Sequence, residues 1–116
     1  WRYENQQWRM GFPFFDNKEA YYSNSPIQNA DKITTPLLTW TGKLDQNIRP
    51  EQSEAFYAAF RRLKKENVML VYSSDGHVLF NPNNQKDLTL KVKDWFGHYL
   101  KDEPKKEWMK ADFVTN

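Results

Sequence analysis

A chain of 116 residues holding five Trp, six Tyr and eight Phe has the apolar mass for one core and little room for a second domain. Its net charge of +2 comes from 17 basic and 15 acidic residues interspersed along the chain, the pattern of a solvated surface and not of a nucleic-acid-binding face. The absence of cysteine excludes disulfides, thiolate metal sites and a cysteine nucleophile, and no apolar run approaches the ~20 residues that span a bilayer.

Residues 1–15 are aromatic and irregular, without a clean period of two or of 3.6. A short helix is expected over residues 16–22, capped by Asp16 or Asn17, followed by a turn at 23–26. Residues 36–41 read as a strand opened by Pro36 and closed at Gly42, and their apolar start predicts burial on both faces. Pro50 opens a helix, with Glu51 in its first turn. Ala55, Phe56, Ala59, Phe60 and Leu63 define the predicted apolar face of that helix, and Asn67 is its expected stop. Residues 68–72 form a second buried strand, 73–76 a turn and 81–84 a loop. A last helix is expected over 85–100, with Leu88, Val92, Trp95, Phe96 and Tyr99 on one face. Past Asp102 the tail is charged, and Trp108 and Phe113 predict that it packs back. Two basic features suit helix ends: the Arg61, Arg62, Lys64, Lys65 cluster and His98.

The order strand, helix, strand, helix predicts an α/β fold with parallel pairing and right-handed crossovers. Two parallel strands cannot cover both faces of their own sheet, so these elements are expected to be part of a larger domain. The chain opens on Trp1, not Met, which agrees with that expectation.

In open parallel sheets, functional groups collect beyond the carboxyl ends of the strands. Asp45 follows the first predicted strand and His77 the second, so neighbouring parallel strands would bring both to one edge. Asp before His, each after a strand, is the order of the last two members of an α/β-hydrolase triad. Such a carboxylate fixes the imidazole tautomer, and the other ring nitrogen then serves as a base toward a hydroxyl. On spacing alone, a turn aspartate and a loop histidine without joint chemistry are the commoner explanation of the pattern.

Several stretches carry a resemblance: YEN at 3–5, RMG at 9–11, SPI at 25–27, ADKITTPLL at 30–38, GKLDQNI at 42–48, PEQSEAFY at 50–57 and DGH at 75–77. In these the chain resembles the C-terminal third of the catalytic domain in the prolyl oligopeptidase family, in its dipeptidyl-peptidase and acylaminoacyl-peptidase branch. The resemblance implies the C-terminal part of one α/β-hydrolase catalytic domain over residues 1–116, with an irregular aromatic segment at 1–24 and the strand-helix-strand-helix body at 25–116. It implies a serine peptidase with Asp45 and His77 catalytic and with Asn47 and Ile48 contacting a peptide substrate. It implies no metal and no organic cofactor, and it tilts the compartment toward the periplasm or outside the cell. There are departures. Thr41 stands where many relatives have His before Gly42, and Gln46 stands where a second acidic residue is common. No G-x-S-x-G occurs, and glycines at 11, 42, 76 and 97 cannot build one. The serine, the oxyanion hole and any propeller are therefore expected upstream, the remainder of the domain is the expected partner, and the isolated chain is expected to be inactive. Its exposed sheet edge would invite a homodimer. An esterase on the same fold and a non-catalytic binding module are the alternatives, while single-strand nucleic-acid binding by the aromatic start lacks a basic groove.

Overall fold

Asn17 starts the first element: its side-chain oxygen accepts the Ala20 amide at 3.1 Å and caps helix α1, Lys18–Ser23. A computed structural model describes residues 9–111 and 113–115, which fall into two units divided between Thr34 and Thr35. The aromatic stretch at 1–8, including the YEN motif, lies outside the described residues. In the first unit Phe14 meets the rings of Phe15, Tyr21 and Tyr22 edge-on, with centroids 5.3, 5.5 and 5.8 Å away. The Tyr21 hydroxyl donates to the Phe12 carbonyl at 2.8 Å. The turn expected at 23–26 leads into a 3-10 helix, Ile27–Lys32, that the sequence did not announce. Asn29 holds the two pieces together, donating to the carbonyls of Tyr22 at 2.8 Å and Ser25 at 2.9 Å.

The second unit runs β1 (Leu37–Gly42), α2 (Pro50–Arg62), β2 (Asn67–Tyr72), α3 (Pro82–Lys101), a 3-10 turn (Glu107–Lys110) and β3 (Phe113–Thr115). The sheet order is β1-β2-β3 with both pairs parallel, as the alternation of strand and helix predicts. β1 and β2 pair from Leu37 opposite Asn67 to Gly42 opposite Tyr72, so their carboxyl ends are level. All six β2 residues are buried. The core gathers Val68, Leu70, Tyr72, Leu79, Trp95 and Met109, each large side chain contributing on the order of 1.5–3 kcal/mol by leaving water.

Five sequence expectations are corrected here. β1 is not buried on both faces: its first three residues are half-buried, Trp40 is exposed, and only Thr41 and Gly42 are buried. It is the outer strand of the described sheet, and an outer strand has no neighbour to cover its far side. Helix α2 stops at Arg62, not at Asn67, because Lys64 takes a left-handed φ of 55°. The amides of Lys65 and Lys64 then return to the carbonyls of Phe60 and Arg61 at 3.0 and 3.1 Å, closing the helix in the manner usually marked by glycine. Asn67 opens β2 instead and is 3% exposed. On α2 it is Phe60 that is fully buried, its ring 5.0 Å from Phe56, while Ala55 and Leu63 at the flanks of the predicted stripe are exposed.

Helix α3 begins at Pro82, so 81–84 is not a loop: the Asn81 side chain accepts the Asn83 amide at 2.9 Å, with Pro82 at the first helical position. Phe96 is exposed, and Lys91 occupies the buried side in its stead. Burial is tolerated because the Lys91 ammonium reaches both Asp87 oxygens, at 2.7 and 2.6 Å, and Asp87 also accepts the Tyr72 hydroxyl at 2.8 Å. The tail does pack back: Trp108 Nε1 donates to Asp94 at 3.1 Å and Met109 is buried. It goes further than expected and adds β3 to the sheet. His98 bonds the Glu103 carbonyl through Nδ1 at 2.8 Å at the end of α3. Among the described residues, no helix is long and apolar enough to cross a membrane.

Candidate active site

The chain leaves β1 at Gly42 and β2 at Tyr72, side by side at one edge of the sheet. The two exits are stitched together: the Lys43 amide donates to the Tyr72 carbonyl at 2.9 Å and the Leu44 amide to the Asp75 carbonyl at 3.0 Å. Gly42 makes this approach feasible. A Cβ there would lie 2.1 Å from the Gly76 carbonyl oxygen and 2.5 Å from that of Asp75, and backbone atoms cannot step aside as a flexible side chain would.

Asp45 closes a turn, its amide donating to the Gly42 carbonyl at 3.1 Å. Its Oδ1 then accepts the amides of Asn47 and Ile48 at 2.8 and 2.9 Å, so the side chain shapes its own loop. Its Oδ2 lies 3.0 Å from His77 Nδ1. The Asp45 side chain is 9% exposed and that of His77 52%. Burial alone would raise the Asp45 carboxyl, but the bond from the Ile48 amide, with those from His77 and the Asn47 amide and the attraction of the His77 ring, holds it below its ordinary value. An ionised Asp45 can only accept, which places the shared hydrogen on Nδ1 of His77.

A second carboxylate, to which the sequence alone assigns no role, organises the loop after β2. Asp75 is 5% exposed. Its Oδ1 accepts the amides of Phe80 and Asn81 at 2.8 and 3.1 Å, and its Oδ2 accepts Asn84 Nδ2 at 2.6 Å. The Asn84 bond, opposed by burial and reinforced by the Phe80 and Asn81 amides, holds the Asp75 carboxyl below its ordinary value. The available signal was an aspartate opening a Gly-containing loop just before a helix cap, the setting in which such side chains bond nearby amides.

Of the four residues singled out from the sequence, Asp45 and His77 are brought into contact. Asn47 and Ile48 sit exposed on the Asp45 loop with their amides engaged by Asp45. Among the described residues, no group of three or more His, Asp or Glu side chains could hold a metal ion.

The prolyl oligopeptidase family model matches residues 2–103. This chain belongs to the prolyl oligopeptidase family. Among the described residues, the three parallel strands, with helices between them in sequence, fit part of an α/β-hydrolase-like fold. Among its relatives, the peptidase YuxL of Bacillus subtilis is 24% identical over 96 residues, covering 80% of this chain and 15% of that protein. The acylamino-acid-releasing enzyme of Arabidopsis thaliana is 25% identical over 99 residues, covering 85% and 13%. Dipeptidyl-peptidase 5 of Porphyromonas gingivalis is 30% identical over 98 residues, covering 81% and 14%. The chain thus spans only about a seventh of the length of the curated relatives it matches. No solved structure matches it significantly.

Proposed function

We propose that residues 1–116 are the C-terminal part of one α/β-hydrolase catalytic domain in a serine peptidase, supplying the aspartate and histidine of a Ser-Asp-His triad. The observation that supports this reading most is the 3.0 Å contact between Asp45 Oδ2 and His77 Nδ1 at the carboxyl edge of two level parallel strands. With Nδ1 facing Asp45, Nε2 is the nitrogen left to act as base. A serine outside these 116 residues attacks the carbonyl carbon of a peptide bond and transfers its proton to His77 Nε2. The ionised Asp45 stabilises the resulting imidazolium and keeps the ring oriented. His77 then returns the proton to the leaving amine, and by the same route activates the water that releases the acyl group. No metal or organic cofactor enters this scheme.

The substrates of this reading are peptides, shortened by a small N-terminal unit or cleaved after proline or small apolar residues, with the exposed side chains of Asn47 and Ile48 in contact with them. The names of the relatives, dipeptidyl-peptidase and acylamino-acid-releasing enzyme, support that class. The remainder of the domain pairs along the open side of β1. The chain alone is inactive, and that same open side then favours a homodimer.

The test is fluorophosphonate labelling of the full-length protein beside its His77→Ala variant. Strong labelling of the parent that is lost in the variant is expected. A folded parent that does not label would mean a non-catalytic binding module, and a labelled parent that cleaves esters but no peptide would mean an esterase.

A further inference from the structure

His77 is held by little of its own. Its side chain is half exposed, and its ring contact is with Asp45. Where the ring sits therefore depends on the backbone of the loop between Tyr72 and Asn81. Within that loop Leu79 is anchored in the core, and its carbonyl accepts Gln85 Nε2 at 2.6 Å. The other anchor is Asp75. It lies two residues before His77, and its side chain reaches across to the amides of Phe80 and Asn81, three and four residues after His77, so the segment carrying His77 is closed by two amides donating to one carboxylate. Asn84 on the first turn of α3 fixes the other carboxylate oxygen and also reaches Ser74 Oγ at 3.2 Å. The Asp75 main-chain carbonyl accepts the Leu44 amide, one residue before Asp45. One nearly buried residue thus touches the His77 loop, the start of α3 and the Asp45 loop.

We propose that Asp75 is a positioning residue for the triad: it closes the His77 loop and fixes it to the Asp45 loop, so that Nδ1 stays in register with the Asp45 carboxylate. This rests on the reading of Asp45 and His77 as a catalytic pair. Because Leu79 anchors the loop independently, losing Asp75 should loosen His77 without releasing it. A misplacement of about 1 Å at a reacting group costs up to roughly 10²-fold in rate. The expected loss in Asp75→Ala is therefore about 10- to 100-fold.

The experiment measures the fluorophosphonate labelling rate of the full-length protein in six variants: His77→Ala, Asp45→Ala, Asp75→Ala, Asp75→Asn, Asn84→Ala and Asp75→Ala combined with Asp45→Ala. Asp75→Asn keeps an acceptor for the Phe80 and Asn81 amides and should return to within about threefold of the parent. Asn84→Ala removes the bond to Oδ2, together with the one to Ser74 Oγ, and should lose about three- to tenfold, which keeps the test open even where Asp75→Ala fails to fold. In the Asp45→Ala background, where the pair is already broken, adding Asp75→Ala should cost under about threefold, since residues that act as one unit are not additive. A merely structural role would give the same loss in both backgrounds and would overturn the proposal. So would parent-like labelling by folded Asp75→Ala, or by Asn84→Ala if Asp75→Ala does not fold. If His77→Ala itself labels like the parent, it is the catalytic reading that fails, and the Asp75 result is then judged apart from it.

Discussion

The loops after β1 and after β2 deliver one side chain each to the same edge of the sheet, yet they are built differently. In the first, a single residue does both jobs: Asp45 bends its own loop through Oδ1 and faces His77 through Oδ2. In the second the jobs are divided. Asp75 and the start of α3 make the loop, and His77 stands on it half exposed. Substitutions in the first loop therefore mix chemistry with architecture, whereas the second loop allows them to be separated.

The largest effect should come from Asp45. In the full-length protein Asp45→Asn retains an acceptor for the Asn47 and Ile48 amides but removes the charge and presents the wrong hydrogen-bonding partner to His77. Fluorophosphonate labelling should fall on the order of 10³- to 10⁴-fold with little change in Tm. Asp45→Ala should lose as much labelling and also melt lower, because two amides lose their acceptor. Equal melting of the two variants would show that Asp45 does not build its loop.

Gly42→Ala tests the seam between the loops. The new methyl would overlap backbone oxygens of both Asp75 and Gly76, so the strand ends must part. A loss of roughly 3 kcal/mol is expected in denaturant titrations. A cost under about 1 kcal/mol would mean that the two loops are not tightly joined.

Acid should act on both loops with the same sign. The folded-state pKa values of Asp45 and Asp75 are depressed, so their contribution is present above the ordinary carboxylate value of about 3.9 and is lost as pH falls through the folded values. Glu66, paired with Lys105, adds to that slope: burial opposes its ionisation, but the Lys105 bond prevails. Urea midpoints should fall as pH drops from about 5 toward 3, and the fall should be shallower in Asp75→Ala. The smallest effect is the stability of His77→Ala, which should stay within about 0.5 kcal/mol of the parent because the side chain is half exposed and Asp45 keeps the Asn47 and Ile48 amides as donors.

Much of the fold is local and is legible in the sequence. The unbroken apolar run at 68–72 marks β2, Pro50 marks the start of α2, and the alternation of strand and helix dictates parallel pairing. Asp45 and His77 could be suspected as neighbours for the same reason, since parallel strands open their following loops on one side. The signals that failed were those another residue can override. Lys64 ends α2 in a conformation that glycine usually advertises. Lys91 reads as solvent-facing until Asp87 and Tyr72 give it a place inside.

The sequence by itself determined the period of β1, α2, β2 and α3, the class of the fold and the chain order of the candidate pair, because these follow from side-chain type and spacing along a few consecutive residues. Tertiary structure alone decided that β1 is half open while its partner β2 is fully buried, that 113–115 joins the sheet, that Gly42 must lack a side chain and that Asp75 binds three separate donors. Those outcomes depend on which surfaces meet, and a chain read one residue after another does not contain its neighbours across the sheet.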